Sequence, residues 1–165
     1  MRKVAVIGSS GAIGSAFVDH YINDQSINSI FSFSRSSIGI DNNKVKHFSI
    51  DIENENSVQD AAKSVEEINF DEIIIASGLL HTNEFGPEKS IKDLKADNIL
   101  KILNVNTVGP AIIGKHFLPL LNKNNKSVMA FLSARVGSIS ENKLGGWYAY
   151  RASKSALNQI IKTFS

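Results

Sequence analysis

Hydrophobic positions along this chain follow two rhythms that alternate from one end to the other. Compact β-branched and aromatic runs near residues 2–7, 29–34, 46–50, 72–77 and 127–133 have strand length and strand composition. Between them, apolar residues recur at helical spacing near 12–24, 57–68, 90–102, 106–122 and 148–165. Phe31 and Phe33 alternate with serines, which reads as one face of a strand. Ser57 with Asp60 and Ser90 with Asp93 have capping-box spacing at two helix starts, and Gly86-Pro87 separates a loop from the helix that follows. Strand-helix alternation of this kind predicts an α/β fold, a doubly wound parallel sheet with helices on both faces. Ligands of such sheets bind at the carboxyl ends of the strands. Ser34-Arg35, Asp51, Ser77-Gly78 and Ser133 all follow predicted strand ends.

Composition narrows the class. The chain has 165 residues, 42% of them hydrophobic, with no internal repeat and no break suggesting a linker, so one domain over 1–165 is expected. A net charge of +2 is too small and too dispersed to argue for nucleic acid, and Lys123 with Lys126 reads as a solvated turn. Met1-Arg2-Lys3 is followed by too short an apolar run for a signal peptide, and no stretch approaches membrane-span length. With no cysteine, disulfides and thiol catalysis are excluded, and a cytoplasmic location is the expectation. The histidines, His20, His47, His81 and His116, have no mutual spacing for a metal site. His81 alone stands near the predicted cleft and reads first as a loop residue.

Two stretches carry chemistry. After the first strand, Gly8, Gly11 and Gly14, with Ser10 and Ile13 between them, turn the chain into a helix beginning near Ala12. Backbone N–H groups and the positive end of the helix dipole at such a turn suit a pyrophosphate, although the strict G-x-G-x-x-G spacing is absent. Ser34-Arg35 ends the next apolar run, where an acid would bind a ribose 2'-hydroxyl. An arginine there suits a 2'-phosphate and points to NADP over NAD. In W-Y-A-Y-R-A-S-K, Tyr150 precedes Lys154 by one helical turn. An ammonium so near is expected to lower the phenol pKa and make it a usable proton donor.

Taken with Asp51-Ile52, Ala76-Ser77-Gly78, N-V-N-T-V-G-P from Asn104 to Pro110, and S-A-R-V-G-S-I from Ser133 to Ile139, these motifs resemble the short-chain dehydrogenase/reductase superfamily. Within it the chain is most similar to the C-factor and sniffer-like carbonyl reductases. The resemblance implies a Rossmann-type NAD(P)-binding domain and hydride transfer between NADP and a small carbonyl or alcohol substrate. It implies Tyr150 as general acid, Lys154 as its pKa-lowering and ribose-holding partner, and Asn106 as holder of a proton-relay water. It also places Gly8, Ser10, Gly11, Ile13, Gly14, Ser34, Arg35, Asp51, Ile52, Ala76, Ser77 and Gly78 at the cofactor. Asn106 also reads as a helix N-cap. Tyr148 lacks a cationic partner and reads as packing or pocket wall.

Two departures stand out. Ala12 replaces a family glycine, and its methyl group crowds the pyrophosphate unless Gly11 lets the backbone adjust. Ala134 stands where the family's substrate-orienting serine belongs. Ser133 is one residue early and takes that role only if the backbone leaves regular strand geometry, and Ser138 is the other hydroxyl within reach. Family members continue past the Tyr-Lys helix through further strands, so the chain resembles a truncated member lacking the last strands, with a homo-oligomer expected of a full-length form. The alternative is a nucleotide-binding signalling or interaction protein of the C-factor type with little or no turnover.

Overall fold

The computed structural model describes residues 1–37 and 39–165, which fall into two compact units. The first, Met1–Ser77 with Ile112–Leu132, is built on a five-stranded sheet. Its strands are β1 (Arg2–Ile7), β2 (Ile27–Ser34), β3 (Val45–Ser49), β4 (Glu72–Ile75) and β5 (Val128–Phe131). All four pairings are parallel, in the order β3-β2-β1-β4-β5. Val4 pairs with Ile30 on one side and Glu72 on the other, and Glu72 in turn pairs with Val128. The central strand needs apolar residues on both faces, and Val4, Ala5, Val6 and Ile7 are all fully buried.

Each face has its own core. Val4, Val6, Ile30 and Ile74 pack with Val18 and Tyr21 of α1 (Ala12–Asn23). Ala5, Ile7, Phe31, Phe33, Ile73 and Ile75 form the other, with Val58, Ala61 and Ala62 of α2 (Glu55–Lys63) and Ile113 and Phe117 of α4 (Gly109–Phe117). Alternate residues of one strand thus feed opposite layers, as the pleat requires. The doubly wound α/β arrangement expected from the sequence is the observed one.

The second unit, Gly78–Ala111 with Ser133–Ser165, carries α3 (Ala96–Leu103) and α5 (Tyr148–Phe164). Ile102, Val105, Ala149 and Leu157 are buried there. Among the described residues no helix is long and apolar enough to cross a membrane.

Several boundaries differ from the sequence expectation, for local reasons. The Ser57 capping box does not form: Asn54 caps α2, its side chain accepting from the Ser57 amide, while the Ser57 hydroxyl accepts from the Asp51 amide. The Ser90/Asp93 capping box is present, yet it closes a single 3-10 turn (Ile91–Asp93), and α3 starts only at Ala96. The helix expected over 106–122 is divided. A π-helical turn spans Asn104–Val108, α4 follows, and a 3-10 turn at Leu118–Leu120 contains Pro119. Pro110 has no N–H to give the carbonyl of Asn106, so the α-helical ladder cannot run unbroken through this point.

Phe33 shows how tightly the sheet's second core is built. It is fully buried, its ring stacked on Phe48 at 5.2 Å and edge-on to Phe117 at 5.3 Å. We expect Phe33→Ala to lower unfolding free energy by about 3 to 5 kcal/mol, from lost transfer energy and the cavity left behind. Denaturant titration checks this, and a loss below about 1 kcal/mol would mean that the aromatic cluster contributes little.

Candidate functional site

In the sheet unit, the chain leaves β1 through Gly8 with φ of +86°, a conformation that favours glycine. The amides of Gly8 and Ser9 both donate to the Phe33 carbonyl, and Gly11 donates back to the Gly8 carbonyl, closing the turn. A Cβ on Gly8 would stand 2.8 Å from the Ser77 amide, and one on Gly14 only 2.1 Å from the Gly8 carbonyl oxygen. Both positions therefore exclude a side chain. Gly11 is extended, with φ of −78°, so it does not use a glycine's left-handed freedom to accommodate Ala12. The α1 N-terminus has no side-chain cap and no acid in its first turn. That end of the helix carries the partial positive charge of its unpaired amides.

Around this turn, Ser9 is fully buried, its hydroxyl 2.9 Å from that of Ser32. Ser10, Ile13 and Arg35 are exposed. Ser34 is buried and donates to the Ser36 carbonyl. Asp51 accepts from the Glu53 amide, and Ile52 packs against the core. Ala76 donates to the Ile7 carbonyl, and the buried Ser77 hydroxyl has no partner among the described residues.

In the helical unit, α5 brings Tyr150 and Lys154 together as the one-turn spacing requires, with the Lys154 Nζ 5.8 Å from the Tyr150 ring centroid. Lys154 is 3% exposed. Burial pushes its ammonium below the ordinary lysine value and pushes the Tyr150 phenol above the ordinary tyrosine value. The expected lowering of the phenol by the ammonium is therefore not what this conformation produces, because desolvation governs both groups.

Asn106 is fully buried inside the π-helical turn, and this corrects its reading as a helix N-cap. Its Oδ1 accepts from the Leu79 amide, while Nδ2 donates to the Leu79 carbonyl and to the Ser153 hydroxyl. Ser153 in turn donates to the Tyr150 carbonyl, and its own carbonyl accepts from Thr107. One amide thus ties the 79 loop and the π turn to the helix that carries Tyr150. A Cβ placed on Gly78 would lie 3.7 Å from both Asn106 Oδ1 and Lys154 Nζ, so Gly78, Asn106 and Lys154 converge.

Gly137 touches α5 closely enough that a Cβ there would stand 2.9 Å from the Cβ of Lys154. Ser133 lies beyond the end of β5, so strand alternation does not govern it. Its hydroxyl donates to Asn158 Oδ1 at 2.6 Å, two helical turns or about 12 Å along α5 from Tyr150. Ser138 is 3.3 Å from the Ser140 hydroxyl. It lines a cavity of about 340 Å³ with Val136, Ile139, Tyr148, Arg151 and Ser155. The hydroxyl partners of these serines are thus Asn158 and Ser140. Tyr148 is a pocket wall, as expected, and His81 is exposed. The roles of Gly137 and Ser153 went unread in the sequence, because their signal is tertiary contact, not residue type.

A model of the short chain dehydrogenase family matches residues 2–165. The 1-hydroxy-2-glutathionyl-2-methyl-3-butene dehydrogenase of Rhodococcus sp. (strain AD45) is 31% identical over 117 residues, which cover 70% of this chain and 48% of that protein. The C-signal protein of Myxococcus xanthus is 32% identical over 76 residues, 46% of each chain. The chain spans about half the length of these relatives. The carbonyl reductase Sniffer of D. melanogaster superposes with a TM-score of 0.87 at 23% identity, over 99% of this chain and 73% of that one. A short-chain dehydrogenase/reductase from Burkholderia multivorans with bound NADP does so at 0.86 and 20% identity, covering 99% and 72%. At these identities the structural likeness speaks for the fold.

The buried ammonium has a measurable signature. Since its pKa is lowered by folding, the folded chain releases that proton before the unfolded chain does. Stability should rise as pH climbs from the folded value towards the ordinary one. Tyr150, whose pKa is raised, acts in the opposite sense only above the ordinary tyrosine value. As pH approaches the ordinary lysine value from below, the unfolding free energy of the wild type should therefore gain on that of Lys154→Met. Parallel denaturant titrations at several pH values check it, and a constant or shrinking difference would show the ammonium to be solvated.

Proposed function

Because the chain belongs to the short chain dehydrogenase family, we propose that it serves as an NADP-linked oxidoreductase acting on a small carbonyl or alcohol substrate. The observation that carries this reading is the buried Lys154 under the Tyr150 ring, with Asn106 and the side-chain-free Gly78 converging on it. The sheet unit fits a dinucleotide in a separate respect. Its uncapped α1 N-terminus follows a turn in which Gly8 and Gly14 admit no side chain. In the proposal Gly8, Ser10, Gly11, Ile13 and Gly14 hold the pyrophosphate, Ser34 and Arg35 the 2'-phosphate, and Asp51, Ile52, Ala76, Ser77 and Gly78 the adenosine and its neighbourhood. When bound, the nicotinamide supplies a hydride to the carbonyl carbon.

Tyr150 then has one task, to give its Oη proton to the carbonyl oxygen as negative charge develops there. A phenol held neutral by burial keeps that proton until it is needed. Lys154, depressed by its own burial, releases a proton more readily than an ordinary lysine and returns one to the tyrosinate. Asn106 braces the Leu79 backbone and Ser153, leaving one Oδ1 lone pair for a relay water. Ser133 is left outside these assignments because its hydroxyl is engaged by Asn158. The same observation, with a methyl group at position 134, favours a second reading of nucleotide binding with little turnover. The absence of cysteine supports a reducing compartment, the cytoplasm, for either reading.

We expect Tyr150→Phe to lower ketone or aldehyde reduction by about 100- to 10,000-fold while cofactor affinity changes by less than about threefold. Cofactor-oxidation assays over a substrate panel measure this, and equal turnover in the Phe variant would reject Tyr150 as the acid. Cofactor binding without turnover in the wild type would establish the second reading instead.

Arg35→Ala should weaken NADPH binding by about 1.5 to 3 kcal/mol, the range for a charge-assisted hydrogen bond, with NADH binding little changed. Calorimetric titration with both nucleotides decides it. Equal losses for the two would take Arg35 away from the 2'-phosphate.

A further inference from the structure

The segment leading into α5 is held in an unfavourable backbone. Gly145, Gly146 and Trp147 are left-handed in succession, with φ of 67°, 66° and 54°, and Trp147 is the one non-glycine with positive φ among the described residues. A bulky side chain in that region is strained, and it persists only where surrounding contacts hold it. Trp147 is also the N-cap of α5, with no side-chain cap of its own, and its indole meets the Tyr150 ring edge-on at 6.2 Å. Any relaxation of Trp147 therefore moves the first turn of the helix that carries Tyr150.

What holds it is Glu88. The residue is 7% exposed. Its backbone carbonyl accepts from the Trp147 amide at 2.6 Å, and its carboxylate Oε2 accepts from the Ala149 amide at 3.3 Å. A Cβ on Gly146 would stand 3.3 Å from the same Glu88 carbonyl, so Gly146 is what lets the two backbones meet. A carboxylate out of water is costly unless it finds donors and positive potential, and the uncapped N-terminus of α5 supplies both. Glu88 is thus a cap borrowed from another loop, bonded on either side of the strained residue.

We infer that Glu88 is a positioning residue for Tyr150: its carbonyl and carboxylate together clamp Trp147 in the left-handed conformation and set the first turn of α5. This rests on the reading of Tyr150 as the proton donor. Glu88 touches no reacting atom in this account. Its effect is geometric, and displacement of a catalytic group by about an ångström is enough to cost about 100-fold in rate.

The test uses the full chain with Glu88→Ala, which removes the acceptor, Glu88→Asp, which keeps the charge but shortens the reach, and Glu88→Gln, which keeps an acceptor oxygen in place. Each is read by steady-state reduction of a reactive aldehyde with NADPH and by hydrogen exchange at the Ala149 amide. We expect E88A and E88D to lose about 10- to 100-fold in kcat with KM within about threefold, and E88Q to stay within about threefold of wild type. Ala149 protection should fall in E88A and E88D and persist in E88Q. A lowered melting temperature with unchanged kcat in E88A, or in E88D if E88A does not fold, would overturn the positioning role and leave a structural one. Unchanged Ala149 protection in either variant would overturn the clamp itself. A wild type without turnover would remove the reductase reading, and Ala149 exchange would still decide the clamp, with loss of protection upholding it and unchanged protection overturning it.

Discussion

A single ammonium, that of Lys154, is taken out of water and set one helical turn from a phenol, and the helical unit is organised around that constraint. A buried cation is tolerable only where the surroundings offer polar groups or allow its proton to leave. Here both conditions meet. Asn106 is fixed by Leu79 and Ser153 on the side where Gly78 leaves room, and the lysine is depressed towards its neutral form. The π-helical turn follows from the same demand. Asn106 spends its side chain on Leu79 and Ser153, and the proline four residues on removes the N–H that would otherwise bond the Asn106 carbonyl.

The sheet unit meets a different constraint, close approach of backbone to backbone. Gly8 must pass the Ser77 amide, and the α1 start must pass the Gly8 carbonyl, at distances no Cβ permits. The result is a helix N-terminus whose N-cap residue, Gly11, makes no side-chain cap bond. Stability of that unit comes from the two apolar layers of the sheet, so the turn itself is free to be shaped for a ligand.

Glu88 links two themes that are otherwise separate, backbone strain and placement of a reacting group. The strain at Trp147 lies next to Tyr150 and not at a random loop, and the residue opposing it reaches in from a distant part of the sequence. Such a residue has no local signature. In F-G-P-E-K-S, Glu88 has the appearance of a solvated loop charge, and nothing in its neighbours betrays that it is buried.

The sequence by itself determined the strands, the order of strand and helix, the glycine turn, and the Tyr150–Lys154 pair. These depend on patterns of period two and 3.6 and on short-range backbone geometry, all of which are local. It also marked Asn106, but left a helix cap open beside its family role, since an amide before a threonine reads the same whether it meets its own helix or Leu79. Only the tertiary structure decided that Ser57 serves Asp51 and not its own helix, that Ser133 is given to Asn158, and that Gly137 lies against Lys154. It also decided that burial outweighs the neighbouring ammonium at Tyr150. Each of these is a choice among partners far apart in sequence, made by which surfaces exclude water together, and a side chain's type does not encode which distant group will lie beside it.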